Sequence, residues 1–430
     1  MTKRTQRSTS QQPRSAPPSL PRLIAGAVIA VAVFVFSQCS PQTATTPPIT
    51  SAPATVAPAT RQPTTRPPTT AAPTTRPATT VAPPTNPPSA NVTPISVAQG
   101  FGARKGFWQV YFTAPTGSRD ASTYRGGIDE VLAAEIGRVQ RTLDIAAYEF
   151  NSPALTQAVI AARGRGVRVR MVTDDEAGRE DEDSTIPQLE AAGVNVVDDA
   201  RSALMHNKFM ILDSTTVWLG SMNYTINDTY RNNNHMLALR SRQAVQNYQA
   251  EFDEMFVQGQ FGPRSPAQTP NPFFALDGIP IATFFAPEDE VIGAIDTTLS
   301  GAQRSIRFMT FSFTVDEMGD IIQQRAQAGV QVQGIFERTG SETQFSELTR
   351  LFCAGLDVRQ DGNPFVLHHK VFVVDDEIVI TGSFNISENA TRSNDENLMI
   401  ITDRDLAAQF TAEFNRRWAE ASRPTRLTCP

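Results

Sequence analysis

The sequence predicts an α/β protein made of two similar units in tandem. The segment His206-Asn207-Lys208, followed by Asp213, recurs as His368-His369-Lys370, followed by Asp375. In both copies a Gly-Ser-x-Asn sequence follows at the same distance. Strand-like and helix-like segments alternate within each copy, and the two copies are offset by about 162 residues. A period of this length is too long for a solenoid, so two fused copies of one α/β unit explain it better.

The similarity between the two units extends well beyond the motif. Residues 143–150 match residues 306–313, and the Gly-Val-x-Val segment at 166–169 recurs at 329–332. Ala-Gly-Val at 192–194 matches Ala-Gly-Leu at 354–356, and Ala-Pro at 114–115 matches 286–287 at a larger offset of 172 residues. We expect the first unit to span residues 95–265 and the second to span residues 266–430.

The local patterns indicate the elements of each unit. Residues 128–139 and 154–163 have helix-like apolar spacing, and residues 167–173 form a β-branched run after Gly164 and Gly166. Residues 205–212 and 367–374 are predicted strands. Turns are expected at 213–215 and 375–377, before a second strand that ends at the Gly-Ser pair. Because side chains alternate along a strand, the histidine and the lysine of each motif should point the same way.

The N-terminal part of the chain has the composition of a leader and a linker. Residues 1–22 carry five basic residues and no acidic ones, and an apolar run follows at residues 23–36. We interpret residues 1–39 as a signal peptide or a short signal anchor. Cys39 lies where a lipoprotein cysteine would, although Gln38 is bulkier than the residue preferred there. Residues 40–94 are rich in Thr, Pro and Ala, which predicts a disordered linker.

The cysteines fit an exported protein. With Cys39 in the leader, Cys353 and Cys429 form an even pair, and an oxidising compartment would allow a disulfide between them. The alternative is that Cys353 packs as a small apolar residue, since its counterpart in the first unit is Ala191.

Charge and lysine usage narrow the chemistry. Residues 95–430 carry 30 basic and 44 acidic residues, a net charge of −14, which argues against a long nucleic acid as substrate. The whole chain has only four lysines, at positions 3, 105, 208 and 370. Arginine is used almost everywhere else, so a lysine in both motifs indicates a compact ammonium beside a phosphate.

These motifs resemble the HxKxxxxD and Gly-Ser-x-Asn signature of the phospholipase D superfamily, carried here twice. The resemblance covers about residues 101–418. It implies two α/β/α sandwich units with pseudo-twofold symmetry, one active site between them, and catalysis without a metal or another cofactor. It also implies that one histidine attacks phosphorus to form a phosphohistidine while the other protonates the leaving oxygen.

The family's roles transfer to matching positions of this chain. His206 would be the nucleophile and His368 the general acid. The resemblance assigns the phosphate oxygens to Lys208, Lys370, Asn223 and Asn385, with Ser221 and Ser383 in support. Glu396 fits the glutamate that orients a histidine in this family, whereas the first unit has Asn234 at the same position. The two histidines should therefore differ in basicity, which leaves open which of them attacks.

The remaining polar residues have simpler interpretations. Asp213 and Asp375 are expected to be structural, ending a strand and holding a turn. His369 and His235 are expected to pack behind the site. Lysine at the +2 positions and the absence of Cys/His ligand spacing argue against zinc, and no phosphate-binding P-loop pattern occurs.

The function that these observations favour is an exported phospholipase D-type phosphodiesterase acting on phospholipids, with a membrane surface as a possible partner. The main alternative is a metal-independent extracellular endonuclease of the same superfamily. A phosphatidyl-transfer enzyme such as cardiolipin synthase would need several spanning helices, which are not evident. A stalked binding module with an inactive site is disfavoured because both motifs are intact. We expect a monomer with an internal pseudo-dimer, located outside the cytoplasm.

Overall fold

The computed structural model describes residues 91–429, which lie in one compact unit. The predicted leader (residues 1–39), Cys39 and all but the last four residues of the predicted linker (residues 40–94) lie outside the described residues. Thr93 and Pro94, the last two residues assigned to the linker, belong to the first strand. That strand lies at the edge of its sheet, where a proline is tolerated.

The first repeat unit contains a nine-stranded sheet with the order β1-β2-β3-β9-β8-β7-β4-β5-β6. Its strands are β1 (Thr93–Ile95), β2 (Gly100–Lys105), β3 (Trp108–Thr113), β4 (Thr142–Ala147), β5 (Arg168–Thr173), β6 (Asn195–Asp198), β7 (Lys208–Leu212), β8 (Thr216–Gly220) and β9 (His235–Leu239).

The second repeat unit contains an eight-stranded sheet with the order β10-β11-β17-β16-β15-β12-β13-β14. Its strands are β10 (Phe273–Leu276), β11 (Ile279–Ala286), β12 (Ser305–Thr310), β13 (Gln331–Phe336), β14 (Asp357–Gln360), β15 (Lys370–Val374), β16 (Ile378–Gly382) and β17 (Glu396–Thr402).

The helices alternate with these strands. They are α1 (Ile128–Ile136), α2 (Pro153–Gly164), α3 (Ile186–Ala191), α4 (Ile226–Tyr230), α5 (Arg242–Gln258), α6 (Val291–Ser300), α7 (Asp316–Gln327), α8 (Arg338–Ser341), α9 (Glu347–Cys353), α10 (Glu388–Arg392) and α11 (Arg404–Glu420). None of the helices within residues 91–429 is both long and apolar enough to cross a membrane.

The two sheets have the same topology once β1 is set aside. In each, three strands are parallel (β4-β5-β6 and β12-β13-β14), and the others pair antiparallel. The parallel strands are joined through α2 and α7, as βαβ units require. The predicted α/β fold with two repeated units is therefore confirmed.

Helix-capping residues explain where two of the principal helices begin. Ser152 precedes α2, and its Oγ accepts a hydrogen bond from the backbone N–H of Leu155, with Pro153 at the first helical position. Ser241 caps α5 in the same way, and α5 ends at Gly259, whose φ of 62° suits glycine. The helical segments predicted at 128–139 and 154–163 thus correspond to α1 and α2.

Buried apolar side chains form three layers of core. One layer packs α1 and α2 on the outer face of the first sheet, and a second packs α6 and α7 on the outer face of the second sheet. The third layer lies between the two sheets and is shared by both repeat units. It includes Phe209 and Val373 from the two sheets, together with Tyr248 of α5 and Phe410 of α11. Burying such side chains contributes roughly 1.5–3 kcal/mol each, so this shared layer holds the two units together.

The strands that carry the motifs are shorter than the sequence predicted. They were expected over residues 205–212 and 367–374, but they begin at Lys208 and Lys370. The residues just before them bond to the other repeat unit, so their backbone groups are not available to the sheet. The predicted turns at 213–215 and 375–377 are confirmed.

A disulfide joins Cys353, at the end of α9, to Cys429 in the C-terminal tail. The pairing that the sequence left open is therefore present. It ties the tail to the second repeat unit across 76 residues of chain.

Candidate active site

The two motif segments meet at the interface between the repeat units, where each is hydrogen-bonded to the other unit's backbone. The N–H of His206 donates to the carbonyl oxygen of Asp395 at 3.0 Å, and the N–H of His368 donates to that of Asn233 at 2.9 Å. Matching parallel bridges join Met205 to Asp395 and Leu367 to Asn233. This reciprocal pairing positions both histidines at one place, which neither unit could do alone.

The His206 ring is held by a carboxylate from the second unit. Its Nδ1 lies 2.8 Å from both carboxylate oxygens of Glu396, and Ser383 donates from Oγ to Glu396 at 2.6 Å. Burial raises the pKa of Glu396 to about 8, while Lys208 and Lys370 act in the opposite direction. Because Nδ1 is engaged, Nε2 is the ring nitrogen left for chemistry.

The His368 ring is held by a neutral amide from the first unit. Its Nδ1 lies 3.0 Å from Oδ1 of Asn234, which also accepts a hydrogen bond from Ser221 Oγ at 2.8 Å. Nδ2 of Asn234 donates to the carbonyl oxygen of Asp228, which fixes the orientation of the amide. The carboxylate of Asp228 lies 3.5 Å from Nδ1 of His368. His368 therefore also presents Nε2.

The two motif lysines occupy equivalent buried positions. Nζ of Lys208 donates to the carbonyl oxygen of His206 at 2.8 Å, and Nζ of Lys370 donates to that of His368 at 2.9 Å. Burial lowers the pKa of both lysines, that of Lys208 to about 8. With Lys208 fully buried and Lys370 only 3% exposed, an anionic group is the natural partner for their remaining hydrogens.

The histidines are close enough to affect one another. Burial lowers the pKa of His206 and of His368 well below the ordinary value, and the charges of Lys208 and Lys370 lower both further. The presence of His206 also lowers the pKa of His368. Both rings are therefore neutral near pH 7 in the free protein, and a neutral imidazole is the form that can act as a nucleophile.

The asparagines of the two Gly-Ser-x-Asn sequences have open hydrogen-bonding capacity. Nδ2 of Asn223 donates to Glu149 at 3.3 Å, and its backbone N–H donates to Asp228 at 2.6 Å. Within the described residues, Oδ1 of Asn223 and Oδ1 of Asn385 are buried without a hydrogen-bond partner. The Nδ2 donors of these amides, and not the Oδ1 acceptors, are the groups that suit contacts with phosphate oxygens.

The glycines of these sequences are required by a close approach of the next strand. A Cβ atom on Gly220 would lie 2.3 Å from the carbonyl oxygen of His235, and one on Gly382 would lie 2.1 Å from that of Asn397. Only glycine allows β8 and β16 to approach their neighbours this closely. That approach places Ser221 and Ser383 beside Asn234 and Glu396.

The two motif aspartates lie away from the histidines. The carboxylate of Asp213 accepts backbone hydrogen bonds from residues 140, 141 and 142 at 2.7–3.1 Å. Asp375 does the same for residues 303, 304 and 305 at 2.6–2.9 Å. Their contacts are those of turn-closing residues.

Two aromatic residues that the sequence did not single out pack on the site. The ring centroid of Tyr148 lies 4.9 Å from Nζ of Lys208, and that of Phe311 lies 4.8 Å from Nζ of Lys370. The same rings lie 4.9 Å from the imidazoles of His206 and His368, respectively. Tyr148 and Phe311 are at equivalent positions of the two repeat units. This equivalence is the sequence signal by which both residues could have been identified.

A second histidine pair lies behind the first. Nδ1 of His235 and Nδ1 of His369 are 3.0 Å apart, and Nε2 of His369 lies 3.3 Å from Glu413. Ser221 also contacts His235, at 3.1 Å. Both rings are fully buried and bonded to protein groups, which matches the packing role expected from the sequence.

Comparison with known proteins shows which protein family this chain is similar to. The model of the family described as "Cardiolipin synthase, PLD-like domain" matches residues 132–256 and again 295–418. The mitochondrial cardiolipin hydrolase of Xenopus tropicalis is 39% identical over 119 residues, which are 28% of this chain and 56% of that protein. The phospholipase D of Rickettsia felis is 31% identical over 139 residues, 32% of this chain and 70% of that protein. This chain spans about half the length of the cardiolipin hydrolases that it matches.

A solved structure shows the same fold over more of the chain. The phosphatidylserine synthase of Haemophilus influenzae superposes with a TM-score of 0.54 and 14% sequence identity. The superposition covers 69% of this chain and 86% of that one. At this level of identity the likeness concerns the fold alone.

Proposed function

The chain belongs to the family of phospholipase D-like domains, and from that membership and the geometry of its site we propose that it is a phosphodiester hydrolase acting on phospholipids. Two Nε2 atoms, each on a ring whose Nδ1 is held by the opposite repeat unit, carry this proposal. Two buried lysines accompany them. This set offers a nucleophile, a proton donor and positive charge around one phosphorus atom.

The reaction proceeds in two displacements. Nε2 of His206 attacks phosphorus, a P–N bond forms, and the P–O bond to the leaving alcohol breaks. His368 donates its Nε2 proton to the departing oxygen. His368 then takes a proton from water, whose oxygen attacks phosphorus as the P–N bond breaks. A phosphomonoester leaves, and His206 is restored.

Substrate binding sets the protonation state of His368 that these two reaction steps need. The pKa of His368 is low in the free protein because of burial and the neighbouring lysines. A bound phosphodiester carries a negative charge, which offsets those lysines and favours a protonated ring. His368 therefore gains its proton when the anion that it will act on is present. Lys208 and Lys370 hold that anion, with Asn223, Asn385, Ser221 and Ser383 around it.

A phospholipid substrate has support from the net charge of the folded part and from an exposed aromatic ring beside the site. The net charge of −14 in residues 95–430 disfavours a long polyanion. Phe311, which packs on Lys370 and His368, is 36% exposed and offers an apolar surface beside the phosphate position. The named activities of the cardiolipin hydrolase and phospholipase D relatives agree with a lipid phosphodiester.

Export is part of the proposal. The basic, apolar leader at residues 1–39 has the pattern of a secretion signal or short anchor. The Cys353–Cys429 disulfide supports an oxidising compartment, since such bonds are rare in the cytosol. The linker of residues 40–94 would hold the enzyme away from its anchor, near a membrane surface.

The substrate assignment is tested with the purified chain on two substrates in parallel. Phosphatidylcholine vesicles report headgroup release, and supercoiled plasmid DNA, in EDTA to silence contaminating nucleases, reports nicking. We expect choline release that falls at least about 1,000-fold in both His206→Ala and His368→Ala, with unchanged melting temperatures. DNA nicking without lipid turnover would replace the proposal with an endonuclease. Full activity in both variants would contradict the assigned site.

The covalent intermediate is tested with bis(p-nitrophenyl) phosphate. Its leaving group needs no proton, so His368→Ala should form the intermediate but resolve it slowly. Mass spectrometry should then find the nitrophenyl phosphoryl group on the peptide containing His206. Finding it on His368 in the His206→Ala variant would reverse the two roles.

A further inference from the structure

Three glutamates gather on the side of α5 that faces the second repeat unit. Glu251 and Glu254 lie one turn apart on α5, and Glu288 lies in the segment between β11 and α6. One carboxylate oxygen from each lies within 4.8 Å of those of the other two. Glu251 is 3% exposed and Glu254 is 6% exposed, while Glu288 is only partly buried. Glu288 is the least buried of the three, although its Oε2 is itself buried without a hydrogen-bond partner.

No basic side chain in the described part of the chain neutralises these three groups, and the carboxyl groups of Glu251 and Glu288 are hydrogen-bonded to each other, which requires a proton between them. Within residues 91–429 no Lys, Arg or His forms an ion pair or a hydrogen bond with Glu251, Glu254 or Glu288. The Glu254 carboxylate accepts no hydrogen bond, and its Oε2 is fully buried without a partner. Burial, together with the negative charges of nearby Asp289 and Asp395, raises the pKa of Glu254 to about 7. Buried carboxylates without a counter-charge are costly, so an external cation is favoured here.

The repeat provides an internal comparison, because α5 and α11 are equivalent helices offset by 162 residues. The counterpart of Glu251 is Glu413, and the counterpart of Glu254 is Arg416. Nε of Arg416 donates to Glu413 at 2.8 Å, and Nε2 of His369 lies 3.3 Å from the same carboxylate. In the second unit the chain itself neutralises this glutamate. In the first unit a glutamate has taken the place of the arginine, and the neutralising charge is missing.

We propose that Glu251, Glu254 and Glu288 bind a calcium ion. All three ligands are carboxylates, with no nitrogen or sulfur donor among them, which favours a hard cation over zinc or copper. Flexible carboxylates can bind with one or two oxygens, as Ca²⁺ accepts, whereas Mg²⁺ demands near-ideal octahedral geometry.

The proposed ion sits behind the motif segment and does not touch the phosphate. Nδ2 of Asn207 donates to Oε1 of Glu251 at 2.9 Å, and Oδ1 of Asn207 accepts from Asn397 at 2.8 Å. Asn207 separates His206 from Lys208, and Asn397 follows Glu396. A cation at Glu251 therefore strengthens contacts between the two repeat units just beneath the site, so its main effect is on stability.

The experiment measures calcium binding to the full chain after removal of metal by EDTA and dialysis. Titration calorimetry with CaCl₂ should show one site. At a calcium concentration about 100 times the dissociation constant, the melting temperature should rise by roughly 4 °C or more. Residues 1–94 contain no Asp or Glu, so they offer no competing carboxylate site.

Three variants make the test specific. Glu254→Gln should weaken calcium binding at least about tenfold. Glu254→Arg copies the arrangement at Arg416 and should abolish the calcium effect without lowering the melting temperature of the metal-free protein. The exposed Glu182→Gln should behave as wild type. The proposal is overturned if calcium neither binds nor stabilises the wild-type chain, if Mg²⁺ stabilises it and Ca²⁺ does not, or if Glu254→Arg retains the wild-type calcium response.

Discussion

At the scale of single residues, the two site histidines differ in one partner. Glu396 places a carboxylate on Nδ1 of His206, and Asn234 places a neutral amide oxygen on Nδ1 of His368. Burial raises the pKa of Glu396 to about 8, but positive charge developing on the ring during attack favours its ionised form, which in turn stabilises a phosphohistidine. An amide does so less, and it leaves the ring a stronger acid once protonated. This difference favours attack by His206 and proton donation by His368, with Asp228 at 3.5 Å moderating the contrast.

The pH dependence of the reaction should reflect the buried lysine of the first motif. Burial lowers the pKa of Lys208 to about 8, and the negative charge of Glu149 works against that fall. Lys208 is charged below this pKa and loses its charge as pH rises through it. We therefore expect kcat/KM to fall as pH rises through about 8, measured on vesicles from pH 5 to 10.

Glu149 offers a check on that explanation. Burial raises its own pKa to about 7, so it is ionised where Lys208 titrates. In Glu149→Gln the charged form of Lys208 loses a stabilising neighbour, so the alkaline fall should move to lower pH by roughly half a unit. Glu182→Gln serves as the control. An alkaline limb that stays in place, or moves to higher pH, would rule out Lys208 as its origin.

At the scale of elements, the aspartate of each motif closes the turn between two strands. Asp213 has a φ of 50° and accepts three backbone hydrogen bonds from the segment that enters β4. Its pKa is lowered, because these hydrogen bonds outweigh its partial burial. The stabilisation is present above its unfolded pKa and is lost as pH falls through the lowered folded value.

Replacing this aspartate should reduce stability and spare the chemistry. We expect Asp213→Ala to lower the free energy of unfolding by about 1–3 kcal/mol, since it removes hydrogen bonds to a charged group. Asp213→Asn keeps one acceptor and tolerates the positive φ, so its loss should be smaller. Denaturant unfolding measures both variants. A large fall in kcat for Asp213→Asn at temperatures where it is folded would point instead to a chemical role.

At the scale of the whole molecule, the repeat units share one core and one site. The apolar layer between the sheets contains side chains from both units and from α5 and α11. Because both histidines are oriented by the opposite unit, separating the units would dismantle the site. We infer that folding of the two units and assembly of the site are coupled.

The disulfide should contribute to the stability of the whole molecule. It closes a span of 76 residues, and constraining a loop of that length in the unfolded chain is worth up to about 4 kcal/mol. Cys429→Ser should therefore melt several degrees below wild type. Cys353→Ser and the double variant should melt at the same temperature as Cys429→Ser. Wild type treated with a reductant should approach them, and an unchanged melting temperature in all three variants would contradict a stabilising role.

Much of this protein follows from local sequence patterns. The duplicated HxKxxxxD and Gly-Ser-x-Asn sequences predicted the fold class and identified the residues that meet at the interface. The rare lysines pointed to positions 208 and 370. These features can be predicted from the sequence because the periodicity of apolar residues, the turn residues and the motif spacing are properties of short segments. Each of them also appears twice in this chain.

Only the tertiary structure decided the contacts between residues that lie far apart in the sequence. Glu396 is paired with His206 over 190 residues, and Asn234 with His368 over 134 residues. Three further features were decided in the same way. They are the late start of the motif strands, the packing of Tyr148 and Phe311 on the lysines, and the meeting of Glu251, Glu254 and Glu288. Sequence spacing fixes neighbours along a helix or strand, but the distance between remote segments is set by how two sheets and their shared core pack together.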